Sequence, residues 1–153
     1  MTPAIIALQR LKLPFEVVKY DYNADATSIG RQAADAIGIE PRFLLKTLIL
    51  RSEDRFYCVV CGSDQDLHLK SVARAVGAKT VRLATVQEAE SATGYRVGGI
   101  SPLGQRRQHL VALDARLDLT ETIHVNGGRR GVQLKMIVEH LVAATHARRI
   151  SLV

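Results

Sequence analysis

One lysine and one glycine-rich run carry most of the chemistry this sequence can offer. Lys46 stands in Leu44-Leu45-Lys46-Thr47-Leu48-Ile49-Leu50, the strongest strand signal in the chain. Period-two alternation puts it on one face with Leu44, Leu48 and Leu50. An ammonium on an apolar face is costly to bury unless it finds partners or emerges into a cavity. The alternative is a lysine that snorkels outward from an edge strand, and the pattern by itself favours neither. The second feature is Thr93-Gly94-Tyr95-Arg96-Val97-Gly98-Gly99-Ile100-Ser101-Pro102-Leu103-Gly104, with four glycines, one proline and almost no charge. Composition alone favours a tight pair of turns between strands. As a site, the same run lets backbone N–H groups face a ligand where a Cβ would block them, with Pro102 fixing the chain just beyond.

The familiar catalytic kits are thin. His68, His109, His124, His140 and His146 show no compact ligand spacing and read as surface or strand-end residues, so no metal site is expected. Gly-x-Ser-x-Gly and the phosphate-binding Gly-x-x-x-x-Gly-Lys-Ser/Thr are missing. Ser101 lies among the glycines, but without an evident base it is a poor nucleophile. Asp64, Asp66 and His68 fit a polar loop before a helix as well as they fit a metal. Cys58-x-x-Cys61 sits in a strand, where residues three apart point to opposite faces, and no second ligand pair accompanies it. Both cysteines therefore read as small core residues. What remains is backbone donors, one inward lysine, a tyrosine and some hydroxyls. Such a set can hold an ester and stabilise charge developing on its carbonyl oxygen, but it supplies no obvious attacking group.

The elements that must position these residues follow from caps and periodicity. Thr2-Pro3 opens a helix through Leu11. Phe15 to Tyr20 alternates as a strand and delivers Tyr20 to its end. Thr27-Ser28 caps a helix from Ile29 to Ile37, closed by Gly38. The lysine strand and Phe56 to Cys61 form a hairpin across Ser52-Glu53-Asp54-Arg55. Leu69 to Val76 is a helix with His68 at its N-cap and Gly77 beyond it. Thr80 to Leu83 is a strand, and Thr85-Val86-Gln87-Glu88 is a capping box that starts a helix ending at Thr93-Gly94. His109 to Leu113 and Thr122 to Val125 read as strands. Asn126-Gly127-Gly128 turns into Val132-Gln133-Leu134. Val138 to Thr145 is helical, and residues 150–153 add a last strand. Strands and short helices intermingle without repeat or linker, which predicts one α+β domain over residues 1–153.

The 153 residues are 47% hydrophobic and 24% charged, the profile of an ordinary globule that buries a core without staples. The N-terminus shows no basic segment followed by an apolar run, and no stretch approaches a membrane span, so a reducing cytoplasm and no membrane are expected. A net charge of +6 points toward a polyanionic partner. Much of the excess sits in Arg106-Arg107, Arg129-Arg130 and Arg148-Arg149, and the first two pairs adjoin glycine motifs. That places positive charge beside the candidate pocket, as the phosphates of an RNA end require.

Thr93 to Gly104, with Gly98-x-x-x-Pro102 inside it, resembles the signature loop of the YbaK/EbsC family of aminoacyl-tRNA deacylases. Lys46-Thr47-Leu48, Leu69-Lys70-x-Val72-Ala73 and Gly127-Gly128-Arg129-Arg130-Gly131 stand at that family's spacing, so the resemblance covers nearly the whole chain. It implies a mixed, barrel-like sheet surrounded by short helices, akin to the editing domain inserted in bacterial prolyl-tRNA synthetases. It also implies a cofactor-free trans-editing hydrolase that removes cysteine from tRNA(Pro), with prolyl-tRNA synthetase as a possible partner. Lys46 would be the essential contact that orients the ester. Gly98, Gly99, Ile100, Ser101 and Pro102 would bind the aminoacyl moiety, with Tyr20, Ile29, Thr47, Asn126, Gly127 and Gly128 around it. The substrate's own thiol would attack its carbonyl. Arg106, Arg107, Arg129 and Arg130 would meet the RNA backbone. Three positions depart from the family pattern: Ile29 replaces an aromatic residue, Asn126 a serine, and Leu45 an aromatic residue or valine. The first two bear on amino-acid selectivity. Two alternatives accompany this reading: deacylation of alanine or serine, and a non-catalytic module that binds a tRNA end or a synthetase.

If the arginine pairs serve RNA, tRNA affinity falls steeply with salt, and Arg106→Ala/Arg107→Ala flattens that slope in a filter-binding series. Salt-independent binding would refute it.

Overall fold

The computed structural model describes residues 1–152. Thr2 accepts from Ile5 N–H at 3.3 Å to cap α1 (Pro3–Leu11), and Pro3 occupies a first-turn position whose missing N–H costs nothing. β1 (Glu16–Lys19) is shorter than its alternation suggested and leaves Tyr20 just past its end. There the Tyr20 N–H donates to Gly131 O at 3.0 Å. Ser28 caps α2 (Ile29–Ile37), and Gly38 closes it in the left-handed region at φ +86°. A short 3-10 turn, Pro41–Phe43, precedes β2 (Leu45–Arg51) and removes Leu44 from the strand. Hairpin strand β3 (Phe56–Gly62) and helix α3 (Leu69–Val76) follow, with His68 Nδ1 as the N-cap acceptor. Next come β4 (Arg82–Leu83) and α4 (Val86–Thr93), whose capping box is complete between Thr85 and Glu88. The chain finishes with β5 (Leu110–Asp114), β6 (Thr122–Asn126), β7 (Val132–Ile137), α5 (Val138–Thr145) and β8 (Arg148–Ile150). The last strand begins two residues before the expected 150–153, and Val153 lies outside the described residues.

These strands form two sheets. One is antiparallel, in the order β1-β7-β6; the other is mixed, in the order β4-β2-β3-β5-β8. The mixed sheet is antiparallel from β4 to β3 and parallel from β3 to β8. An isolated parallel bridge between Leu44 and His124 joins the sheets where β2 begins. The expected α+β fold, a mixed sheet with short helices around it, is present, but its barrel-like arrangement is two sheets meeting at this bridge rather than a closed ring.

The largest core lies between the sheets. Leu45, Ile49, Cys58, Val60, Leu113, Ile123, Val125 and Leu134 are buried there against Leu8 of α1 and Leu141 of α5. A second core, with Leu50, Tyr57, Val59 and Cys61 under Val72 and Val76 of α3, covers the outer face of the mixed sheet. The hairpin register pairs Ile49 with Cys58 and Lys46 with Cys61, which sends the two cysteines into different cores. Among the described residues, no helix is long and apolar enough to cross a membrane and no group of histidine, cysteine and carboxylate side chains could hold a metal.

Burial pushes the Cys58 thiol up to about 12 and the Cys61 thiol up to about 11. Lys46, nearby, pulls Cys61 the other way. A thiol-disulfide reagent at about pH 8 is therefore expected to label neither cysteine in the native protein and both after unfolding. Fast native labelling of either one would contradict their placement.

Candidate active site

The site forms where β2 leaves the Leu44–His124 bridge. A cleft of about 520 Å³ opens there, floored by Leu44 to Ile49. Its walls come from Tyr20 and Tyr22 after β1, the first turn of α2, the start of α4, the glycine loop and the facing strands β6 and β7. The β6–β7 register explains why polar side chains reach it. Asn126 pairs with Gln133 and Val125 with Leu134, so Val125 and Leu134 enter the core while Asn126 and Gln133 take the other face.

Of the residues singled out by sequence, Tyr20, Ile29, Lys46, Thr47, Gly98, Ile100 and Asn126 line the cleft together. Lys46 is half-buried, and its ammonium donates a hydrogen bond to Gln65 O in the loop after β3. The tether uses one of three ammonium donors. Among the described residues, Lys46 is also the only charged side chain lining the cleft, and no carboxylate, imidazole or thiol stands on its walls. Thr47 Oγ1 is buried without a hydrogen-bond partner. Burial lifts the Tyr20 hydroxyl above its ordinary pKa, and the adjacent Gln133 amide works in the opposite direction.

Gly99, Ser101, Pro102, Gly127 and Gly128 lie behind the cleft wall. Ser101 is fully buried, and its Oγ accepts from Leu103 N–H at 3.2 Å while its carbonyl accepts from the Gln105 amide at 3.0 Å. These residues shape the loop from inside. The glycines, too, have an internal reason. A Cβ on Gly99 would come within 3.0 Å of Arg129 Cα and 3.1 Å of Arg130 N. A Cβ on Gly98, which sits at φ +92°, would meet Arg130 Nε at 2.8 Å. What approaches the signature loop so closely is the protein's own β6–β7 turn.

That contact is held by polar groups at both ends. The Asn126 amide donates to Gly98 O at 3.0 Å, and its Oδ1 accepts from Gly128 N–H at 2.7 Å. Arg130 donates from Nε and Nη2 to Val97 O, at 3.1 and 2.8 Å, and lies over the Tyr22 ring at 5.3 Å. Arg130, expected at the RNA backbone, is thus also a strap between the two turns. Arg106, Arg107 and Arg129 are exposed. Arg106 Nη1 reaches Ser91 O at 3.4 Å.

Sequence reasoning missed Gln133. It is 3% exposed, lines the cleft, and leaves its Oε1 without a partner. A buried amide oxygen without a partner is rare and costly in a folded protein. The available signal was a glutamine between two apolar residues in the strand that follows the double-glycine turn.

Fold and cleft together define a class: an α+β domain with a cleft lined by apolar side chains, hydroxyls, amides and one lysine. The model of the aminoacyl-tRNA editing domain family matches residues 24–144, and the chain belongs to that family. It is an editing domain of the YbaK/EbsC kind. It is 28% identical, over 96% of its length and 90% of the relative's, to an Enterococcus faecalis protein provisionally named Cys-tRNA(Pro)/Cys-tRNA(Cys) deacylase EbsC. It is 30% identical over 61% of its length to the proline–tRNA ligase of Pelotomaculum thermopropionicum, of which it covers 18%. A crystal structure of a protein provisionally described as a trans-editing enzyme for prolyl tRNA synthetase superposes with a TM-score of 0.86. That match covers 98% of this chain and 94% of the other at 26% identity.

Asn126→Ala removes both bonds that close the two turns on each other and is expected to cost about 2 kcal/mol. The urea midpoint should fall at unchanged m. Asn126→Asp keeps the acceptor for Gly128 N–H but sets a carboxylate against Gly98 O, so it should do no better. Unaltered midpoints would mean the turns hold without Asn126.

Proposed function

We propose that this chain deacylates Cys-tRNA(Pro) in trans, in the cytoplasm, either alone or in company with prolyl-tRNA synthetase. The observation that carries the reading is the lining of the cleft: one lysine, hydroxyls and amides, and no group basic enough to activate water or a hydroxyl. The attacking group then comes from the substrate. The cysteine sulfur bonds to its own ester carbonyl carbon, the bond from that carbon to the ribose oxygen breaks, and the proton given up by the thiol ends on the ribose oxygen. A small cyclic thioester leaves and hydrolyses. In that sense the reaction is lyase-like although its net outcome is hydrolysis.

Lys46 orients the ester and offsets the negative charge that grows on the carbonyl oxygen. An ammonium placed beside the ester carbonyl favours the charge that develops on its oxygen in the transition state. Its tether to Gln65 O limits where the ammonium can go. Holding thiol and carbonyl in one pocket supplies barrier reduction of several kcal/mol without any protein nucleophile. The names of the relatives support this substrate, and a synthetase pocket sized for proline discriminates weakly against a residue as small as cysteine.

A second reading has its own observation. Thr47 Oγ1 and Gln133 Oε1 are buried without partners, and both could fix a water against the ester of alanine or serine.

One rate comparison separates the readings. Cysteinyl-tRNA(Pro) should be cleaved far faster than seryl-tRNA(Pro), although oxygen is smaller than sulfur and serine fits. Lys46→Ala should stay folded and lose about 10²-fold or more in rate. Equal rates for the two esters would exclude thiol assistance and favour the water. A folded Lys46→Ala at near-parental rate would remove the role given to the lysine.

A further inference from the structure

Gly30 is a glycine that its backbone does not require. It is the second residue of α2, its φ lies outside the left-handed region, and alanine is the better helix former. Space explains it instead. A Cβ on Gly30 would stand 2.6 Å from Ser63 Cβ, and its three nearest atoms would all belong to Ser63. The missing methyl group therefore points at the protein and not into the cleft, although both residues line that cleft. Ser63 Cβ is bonded to the backbone and cannot swing aside as the tip of a long side chain can. Any bulk added at Gly30 has to move a stretch of chain.

That stretch is the turn that holds Lys46. β3 ends at Gly62, paired with Leu45, and three residues later Gln65 O accepts from the Lys46 ammonium. Hydrogen bonds anchor the turn to the segment before β2. Ser63 N–H donates to Pro41 O at 3.0 Å and to Leu44 O at 2.9 Å, and Ser63 Oγ donates to Pro41 O at 2.8 Å. Gln65 N–H closes the turn on Gly62 O at 3.0 Å. Gly62 is as tightly enclosed, since a Cβ there would meet Arg42 O at 2.9 Å. A lysine side chain is a flexible four-carbon stem, so its ammonium stands where its partner stands. Here the partner is a carbonyl whose own place is fixed through Ser63.

We propose that Ser63, seated against Gly30, is a positioning residue for Lys46. The contact between the first turn of α2 and the turn after β3 sets where the ammonium stands beside the ester. The inference rests on the role given to Lys46 in the deacylase reading. The same helical turn carries Ser28 and Ile29 into the cleft. One contact thus places a wall of the cleft and its lysine relative to each other. Neither Gly30 nor Ser63 needs to touch the ester for this to act on the rate.

The test is a double-mutant cycle on the whole chain with two readouts. The first is kcat and KM on Cys-tRNA(Pro). The second is the rate at which limiting acetic anhydride labels Lys46, read from the mass of the Lys46 peptide, which needs no turnover. Gly30→Ala should lower kcat about tenfold with KM within about twofold, and Lys46 should label severalfold faster as its carbonyl partner shifts. In the Ser63→Gly background the Cβ that the alanine meets is gone, so adding Gly30→Ala should change either readout by less than about twofold. Equal losses in both backgrounds would place the effect in α2 itself and overturn the proposal. So would parental kcat or parental labelling in folded Gly30→Ala, or a loss confined to KM. If Gly30→Ala does not fold, Ser63→Ala decides. It drops the Oγ bond to Pro41 O without added bulk, and should speed labelling and lower kcat about threefold; parental values there would also overturn the proposal. The two readings fail separately. Turnover with labelling indifferent to residues 30 and 63 sinks the positioning role alone, whereas coupled labelling in a protein that never cleaves Cys-tRNA(Pro) keeps the seat and sinks the deacylase reading.

Discussion

Two glycine turns pressed against each other hold this site in shape. The loop after α4 and the turn between β6 and β7 approach until backbone meets backbone, with Gly99 against Arg129 and Gly98 against the Arg130 side chain. Asn126 bonds to both partners at once, and Arg130 spans from one turn to the carbonyl of Val97. Side chains at either glycine would push the turns apart. The cleft wall would then lose the surface that Gly98, Ile100 and Asn126 make together. Thr2 extends the lock to the N-terminus, because its hydroxyl, while capping α1, donates to Gly127 O at 2.5 Å.

The wall needs a floor, and β2 provides it by having a different job on each face. Leu45 and Ile49 face the core between the sheets, whereas Lys46, Leu48 and Leu50 stand on the side of Cys61, Val59 and Tyr57. At its start the strand lies open to the cleft, so Lys46 escapes full burial. Its ammonium gains a carbonyl partner from the loop after β3 without a counter-charge. A carboxylate partner would have neutralised the very charge an ester oxygen would use. The same strand registers β4, pairing Leu50 with Leu83 and Arg51 with Arg82.

Other polar groups are spent on structure. Asp114 is buried and meets Arg116 in a two-pronged ion pair; burial would raise its pKa, but the guanidinium's hydrogen bonds win and hold it below the ordinary value. His124 is buried beside the Leu44 bridge, where burial depresses its pKa and Nδ1 has no partner, and it does not line the cleft. Asp114 likewise does not line the cleft.

Local physics was legible in the sequence. Caps gave α1, α2 and α3 their observed starts, and glycine stops gave α2 and α3 their ends, because each signal acts within one turn of chain. Strand alternation correctly put Lys46 on one face and the two cysteines on opposite ones, since that geometry needs only a period of two. The signature loop and the lysine could be singled out as motifs, but what the glycines touch could not. Gly99 and Arg129 are thirty residues apart in the chain, and only the packing of α4's exit against the β6–β7 hairpin brings them together. For the same reason Ser101 and Pro102, close to Gly98 in sequence, turn out behind the wall. Gln133 enters the cleft through a register that no local pattern fixes. Residue type and spacing thus determined which elements form and which motifs matter. Long-range pairing alone decided which side chains face the cavity, because a strand's faces become inside and outside only when its neighbours are in place.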